Sequence, residues 1–433
     1  MSDPLASLVA RHRGGEPVGI TSVCSAHPLV LEATMREAAA AGAAGGLVLV
    51  EATSNQVDQH GGYTGMRPPD FCELALRAAR AAGVPAERVL LGGDHLGPNR
   101  WRARPAAEAM ALAEELVAAY VAAGFTKLHL DCSMACADDP PRIGDGPVSA
   151  RAARLVRIAE QTAERAGTAQ PLSYVIGTEV PVPGGAAEAI EHLVPTSADA
   201  ARETLRAHRV AFAHTGLRDV WPRVRALVVQ PGVEFDEWTI AGYEPDRTVE
   251  LQRVLDDEPG IVFEAHSTDY QTQANLRALV QRHFAILKVG PGLTFAMREA
   301  LWGLHEIERE WLGADRCSRL RETVQQAMTA APRHWNKYYL SVSRQLTLDQ
   351  QYSLSDRIRY YWPVPEVESA LNRLLANLDS KPPPLTLVSQ YLPKQYEAIR
   401  AGRIGLRARE LVLHSIEQVL QQYSAACTDI PST

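Results

Sequence analysis

The chain predicts a (β/α)8 TIM barrel with an appended C-terminal helical region, and three observations carry that prediction. From Pro17 to about Leu312, short β-rich runs alternate with Ala-rich helical stretches, the pattern of parallel strands joined by crossover helices. The units are numerous enough to favour closure over an open sheet. Six of the proposed strand ends also carry acids, amides or imidazoles, as the C-terminal rim of a barrel does. A doubly wound sheet is the alternative fold. Against it, no G-x-G-x-x-G opens the first strand-helix turn, and no G-x-x-x-x-G-K-[ST] occurs.

In chain order, residues 1–16 read as an N-terminal extension and Pro17 to Val23 as the first strand. The first helix runs from Pro28, suited to an opening turn, to Ala41, with Gly42 as its stop. Gly46 to Val50 is a second apolar run ending at Glu51, followed by a helix over Pro69 to Ala82. Val89 to Gly93 is next, breaking at Asp94-His95-Leu96-Gly97-Pro98 before the helix Pro105 to Ala122. Side chains alternate faces along an extended chain, so a bend after Gly93 is required if Asp94 and His95 are to serve one site. Lys127 to Leu130 ends at Asp131 and precedes the helix Ala150 to Ala166. Leu172 to Ile176 leads to Glu179 and a longer insertion, Val180 to Pro222, holding a helix over Ala198 to Ala207. Ala226 to Gln230 is the sixth strand, and Ile261 to Ala265, ending at His266, is the seventh. Gln271 to Gln281 is helical, Ala285 to Val289 the eighth strand, and Thr294 to about Trp311 the closing helix. The barrel is therefore assigned to residues 17–312 and a helical region packed on it to 313–433, with helices over Arg316 to Ala331, Pro365 to Leu378 and Leu406 to Gln422.

A chain of 433 residues that is 46% hydrophobic buries a large core. Its net charge of −7, without a basic block, excludes the usual nucleic-acid and anionic-membrane binders and suits an enzyme of small molecules. No apolar run is long enough to span a bilayer and no signal-like segment opens the chain, which places the protein in the cytoplasm as an expectation. Six scattered cysteines read as reduced thiols; Cys132 and Cys136 could pair on a metal, but no second pair matches them.

The strand ends Glu51, Asp94 with His95, Asp131, Glu179, Gln230, and His266 with Ser267 and Asp269 would converge on one rim. Two histidines among carboxylates suit a divalent ion such as Zn²⁺ or Mn²⁺; a rim of solvated acids and caps is the plain alternative. Lys288 to Thr294 joins a strand to a glycine-rich turn and a helix N-terminus, so Lys288, Gly290, Gly292 and Thr294 are candidates for holding a phosphate, or simply form a tight turn. Glu51, Ser54, Asn55 and Gln56 open a polar loop suited to sugar hydroxyls or to bonding with itself. Ser355 and Arg357, in an aromatic and basic stretch, are candidates for a second phosphate or an oligomer contact.

The strings Glu51 to Met66, Gly92 to Trp101, Lys127 to Pro140, Tyr174 to Gly185, Gln230 to Tyr243, Phe263 to Gln271, Lys288 to Trp302 and Ser355 to Trp362 together resemble the class II tagatose-bisphosphate aldolase accessory subunits, over nearly the whole chain. Members of that family carry three labels: non-catalytic aldolase partner, tagatose 6-phosphate kinase and tagatose 6-phosphate 4-epimerase. The kinase label lacks support here, since no nucleotide-phosphate loop is present. The element order also resembles the catalytic class II aldolases, which are zinc-dependent barrels. That likeness implies Asp94 as base, with Asp131 and Glu179 as further acid-base candidates, and His95, Glu179 and His266 as metal ligands. Where those enzymes place another His-Gly, this chain has Gln230-Pro231-Gly232, so Gln230 or Glu179 would complete the ligand set and a self-sufficient aldolase is disfavoured.

The resemblance implies a metal-dependent epimerase of ketohexose phosphates acting by retro-aldol and aldol steps across C3–C4, with Asp94 as general base and the ion as Lewis acid. The alternative it implies is an accessory subunit that stabilises a class II aldolase catalytic subunit and performs no chemistry. A homo-oligomer is left open.

Overall fold

A computed structural model of the protein describes residues 3–42, 46–168, 170–177 and 193–428. Eight parallel strands close on themselves: β1 (Ile20–Cys24), β2 (Val48–Thr53), β3 (Val89–Leu96), β4 (Lys127–Leu130), β5 (Ser173–Ile176), β6 (Val224–Val228) and, after an antiparallel hairpin of β7 (Glu234–Phe235) and β8 (Ile240–Ala241), β9 (Val262–Ala265) and β10 (Phe284–Val289). Closure is the pairing of β1 with β10, with Ile20 opposite Ile286 and Ser22 opposite Lys288. The helices that follow successive strands are α2 (Pro28–Ala40), α3 (Pro68–Ala82), α4 (Ala106–Ala122), α5 (Asp145–Ala166), α6 (Ala198–His214), the short α7 (Val249–Gln252), α8 (Gln273–Gln281) and α9 (Pro291–Leu312). This is the predicted (β/α)8 barrel.

The N-terminal segment contains the helix α1 (Pro4–Arg13), which closes the barrel floor. Leu5 and Val9 pack with Ile20, Leu49, Leu90, Val175, Ala226, Val262 and Ile286, the inward apolar layer at the N-terminal ends of the strands. Asp3 caps α1 and also accepts from Ser173 Oγ (2.6 Å) and Arg225 Nε (2.7 Å), tying the helix to β5 and β6. The next inward layer is charged. Glu51, Lys127, Glu264 and Lys288 are all buried there beside Ser22, and the register Glu51–Gly92–Lys127 puts β2, β3 and β4 at one level. Gly92 leaves the space: a Cβ at that position would lie 2.6 Å from Glu51 Cγ.

The remaining helices are α10 (Leu320–Ala330), α11 (Ser343–Tyr352), α12 (Pro365–Ser380), α13 (Leu385–Tyr391), α14 (Pro393–Arg400) and α15 (Ala408–Cys427). The last of these is more than an appendage. It packs against α2, α8, α9 and β1, buries Leu411, Val412, Leu413 and Ile416, and so occupies a place in the outer ring between the seventh barrel helix and the first. Among the described residues no helix is long and apolar enough to cross a membrane. All six cysteines are free thiols, and no metal-ligand grouping among the described residues includes Cys132 or Cys136.

Candidate active site

The apolar run of β3 continues three residues beyond its expected end, carrying Asp94 and His95 within the strand. The required bend falls at His95, whose φ of 50° lies in the left-handed region that a residue with a Cβ rarely adopts. There the pairing with β4 shifts register between Gly93 and Leu96, and both side chains turn toward the barrel mouth, where they line one pocket. Asp131, just past β4, accepts a hydrogen bond from His95 Nδ1 at 2.7 Å, which orients the ring; against the effect of burial, Asp94 and Asp131 raise the His95 pKa, so an ion at Nε2 would displace a proton. Gly97 permits this closeness, because a Cβ there would stand 1.8 Å from the Asp131 carbonyl oxygen.

His129, inward on β4, and His266, just past β9, complete a triangle with His95. The ring centres are 5.0, 5.0 and 5.1 Å apart. Imidazoles sharing one tetrahedral ion at N–metal distances of about 2.0–2.1 Å have centres roughly 5 Å apart, so the rings fit a Zn²⁺ or a similar ion. Among the described residues, one group whose ligand atoms all lie within 4.8 Å of one another is Asp94, His129, Glu264 and His266, and the His95 ring borders it. His129 Nδ1 donates to Asp94 Oδ1 at 2.8 Å and Nε2 lies 3.2 Å from the Gly177 carbonyl, so an ion taken up by this ring would displace the Nδ1 proton. Burial and the Lys288 ammonium push the His266 imidazolium down to about 3, so that ring is neutral at neutral pH, as a ligand must be.

Charge beneath the triangle points the same way. Lys288 touches Asp94, and also Glu51 (3.0 Å) and Glu264 (3.2 Å); Lys127 touches Glu51 and lies 2.6 Å from Glu264. With Asp131, four buried carboxylates face two ammonium groups, leaving two negative charges for imidazolium protons or a divalent cation to balance. Burial opposes ionisation of Asp94, but His95, Lys288 and the His129 hydrogen bond outweigh it and hold the carboxyl well below its ordinary range. Its Oδ1 is taken by Lys288 and His129, and Oδ2 lies 3.8 Å from His95 Nε2.

The pocket above has a volume of about 430 Å³. It brings together Asp94, His95, His266, Ser267, Asp269, Lys288, Gly290, Thr294, Asn55 and Gln56 from the sequence-derived set. Others lie elsewhere. Glu51 is not a strand end, because β2 runs on to Thr53, and it is buried below the pocket on the two lysines. Ser54 is buried outside the lining. Gln230 does not reach the triangle: its side-chain oxygen accepts from the Gly232 and Val233 amides at 2.8 and 3.0 Å, closing the turn after β6. The glycine-rich turn has no open anion cradle, since Gly290 and Gly292 both donate to Asp269 Oδ1 (2.9 and 2.7 Å) and Thr294 Oγ1 donates to Asp356 at 2.6 Å. Ser355 bonds Ser353 and Tyr339, while the Arg357 guanidinium lies over the Tyr338 ring and donates to the His334 carbonyl, so neither faces the pocket. Glu179 lies outside the described residues. Sequence reading missed His129, Glu264, Lys127 and Arg359; the signal for the first three was strand parity, with polar residues two apart in otherwise apolar runs.

A family model described as D-tagatose-1,6-bisphosphate aldolase subunit GatZ/KbaZ-like matches residues 5–428, and the chain belongs to that family. A solved structure from Sinorhizobium meliloti 1021, described as a probable tagatose 6 phosphate kinase, is 46% identical, with 94% of this chain and 100% of that one covered and a TM-score of 0.86. More distant are the fructuronate-tagaturonate epimerase UxaE of Cohnella laeviribosi (13% identity, 94% and 82% covered, TM-score 0.48) and the YdjI aldolase of Escherichia coli K12 (13%, 86% and 96%, TM-score 0.40).

Proposed function

We propose that this protein is a metal-dependent epimerase interconverting D-tagatose 6-phosphate and D-fructose 6-phosphate through cleavage and re-formation of the C3–C4 bond. The observation that carries the reading is the placement of Asp94 against three converging imidazoles at the base of a sugar-sized pocket. The C4 hydrogen of a 2-ketose is not acidic, so inversion at C4 is reached by opening the adjacent carbon-carbon bond. A divalent ion held by His95, His129 and His266 supplies, when bound, Lewis acidity for the ketose oxygens. Asp94 Oδ2 takes the C4 hydroxyl proton as the bond opens to the enediolate of dihydroxyacetone and glyceraldehyde 3-phosphate, and returns it after the aldehyde has turned its other face. Lys288 holds Oδ1 so that the second oxygen stays aimed, and Asp131 holds His95. Asn55, Gln56 and Ser267 supply polar contacts for sugar hydroxyls. Lys288 is a charge partner and not an imine-forming amine: despite burial, its carboxylate neighbours raise its pKa well above the ordinary lysine value and keep it protonated.

Purified protein with Zn²⁺ or Mn²⁺ is expected to interconvert the two ketose phosphates without a partner, followed by carbon or phosphorus NMR. Asp94→Asn should remain folded with turnover lowered by about 10²–10⁴-fold. An inert, metal-replete wild type removes the reading. The family description as an aldolase subunit, together with the exposed apolar side chains of Trp238, Ile240, Leu340 and Val342, favours a second reading as an accessory chain stabilising a class II aldolase. Co-purification with that enzyme and a longer partner half-life, with no turnover of its own, would decide for it.

A further inference from the structure

The sugar-phosphate reading requires a place for the phosphate, and the cations nearest the pocket floor are already matched. Lys288 sits among three carboxylates, the amides of the Gly290 turn are held by Asp269, and Arg409 on the outer wall is paired with Glu32. Arg359 differs. It lines the same pocket, and among the described residues it has no carboxylate within ion-pair distance. Its guanidinium is held from behind: Nη1 donates to the carbonyls of Ser355 and Asp356 (3.1 Å to the latter), Nη2 donates to Tyr360 Oη at 3.2 Å, and the group lies 4.6 Å from the centre of the Tyr360 ring.

The strap that presents it is braced against the barrel. Asp356 adopts φ 41°, and its carboxylate, turned away from the pocket, accepts from Thr294 (2.6 Å) and Arg298 (3.1 Å) of α9. In the tight 3-10 turn that follows, residues two apart point about 120° apart around the axis, so Arg357 lies against the Tyr338 ring while Arg359 lines the cavity. A guanidinium fixed this way offers its remaining fork to a bidentate anion, the geometry that distinguishes arginine from lysine at phosphates. Asn55 lines the cavity as well; its Oδ1 is satisfied by Thr53, so its amide N–H groups are the pole turned to a ligand.

We propose that Arg359, assisted by Asn55, binds the terminal phosphate monoester of the substrate, so that the C-terminal region completes the active site by selecting phosphorylated over free sugars. This rests on the sugar-phosphate reading, but its test can be separated from turnover. Calorimetric titration of metal-free protein with glycerol 3-phosphate, glycerol and glycerate distinguishes a phosphate subsite from a carboxylate or polyol one. Wild type should bind glycerol 3-phosphate preferentially, and Arg359→Ala should weaken that binding by about 10- to 100-fold, the loss of a charged hydrogen-bond pair. Arg359→Lys, which keeps the charge and guards against a misfolded alanine variant, should recover only part of it. In turnover assays the same variants should raise KM for the ketohexose 6-phosphate far more than they lower kcat. Binding within twofold of wild type in Arg359→Ala, preference for glycerate, or no binding of glycerol 3-phosphate by wild type overturns the assignment. Phosphate binding that depends on Arg359 in a protein without epimerase activity leaves the assignment standing and removes only the epimerase.

Discussion

Glu234, at the start of the hairpin after β6, offers a quantitative test of the electrostatics around the site. It is 1% exposed; Oε1 accepts from the Phe235 amide at 3.0 Å, and Oε2 has no hydrogen-bond partner. Burial, with the nearby Asp269 adding to it, pushes its carboxyl up to about 7 from an ordinary 4.5, against the lowering by the Phe235 amide and Ser267. The folded protein therefore keeps a proton between about pH 4.5 and 7 that the unfolded chain has released, so stability from this group is full below 4.5 and is lost as pH rises through 7. Glu234→Gln mimics the protonated form and removes the titration. Between pH 5 and pH 8 the variant should gain about 2.5 kcal/mol on wild type, from a shift of roughly 2.5 units at 1.36 kcal/mol each, less the part already lost at pH 5. With an unfolding entropy near 2.1 cal/mol/K per residue over this chain, that corresponds to a melting-temperature gap widening by roughly 3 °C. Scanning calorimetry of both proteins at the two pH values measures it, and the common pH effects cancel in the difference. A gap that stays constant or narrows would show that Glu234 ionises freely and that the hairpin is solvated.

Three further outcomes are expected. His129→Ala should weaken Zn²⁺ binding more than about 100-fold in chelator competition while circular dichroism shows an intact fold; unchanged affinity would move the cation away from the imidazole triangle. Gly97→Ala, which drives a Cβ into the Asp131 carbonyl, should cost more than about 3 kcal/mol or abolish soluble expression, and a wild-type melting temperature would contradict the β3–β4 geometry. Leu5→Ala should destabilise by about 2–5 kcal/mol in urea unfolding, because α1 plugs the barrel floor; a loss under about 1 kcal/mol would mean that the floor is open to water.

The barrel was legible because its signal is periodic. Lys127–Leu130 and the starts of α2 and α6 fall where the residues place them, since apolar runs and helix openers act locally. The parts whose role the sequence left open depend on contacts across the chain. The first residues form a helix whose apolar side finds the barrel floor, and α15 joins the outer ring only because β1, α2 and α8 leave it a place. Short segments such as α11, α13 and the β7–β8 hairpin carry too few residues for a period to register.

The site shows why strand ends alone were an incomplete guide. Reading each apolar run to its first polar break finds Asp94, His95, Asp131 and His266, but it passes over polar residues lying earlier in the runs. The groups beneath them obey parity instead: Glu51, Lys127, His129, Glu264 and Lys288 point inward by alternation, and several sit inside runs that look apolar because their neighbours face the helices. A charged layer at that depth is costly unless its members pair, and here they pair with one another across four strands. The pairing could have been anticipated from opposite charges at matching depth on neighbouring strands. The fate of Gln230 could not: a side chain at a strand end can turn to the rim or bond its own turn, and which it does depends on the two amides of Gly232 and Val233, whose positions exist only in the folded loop.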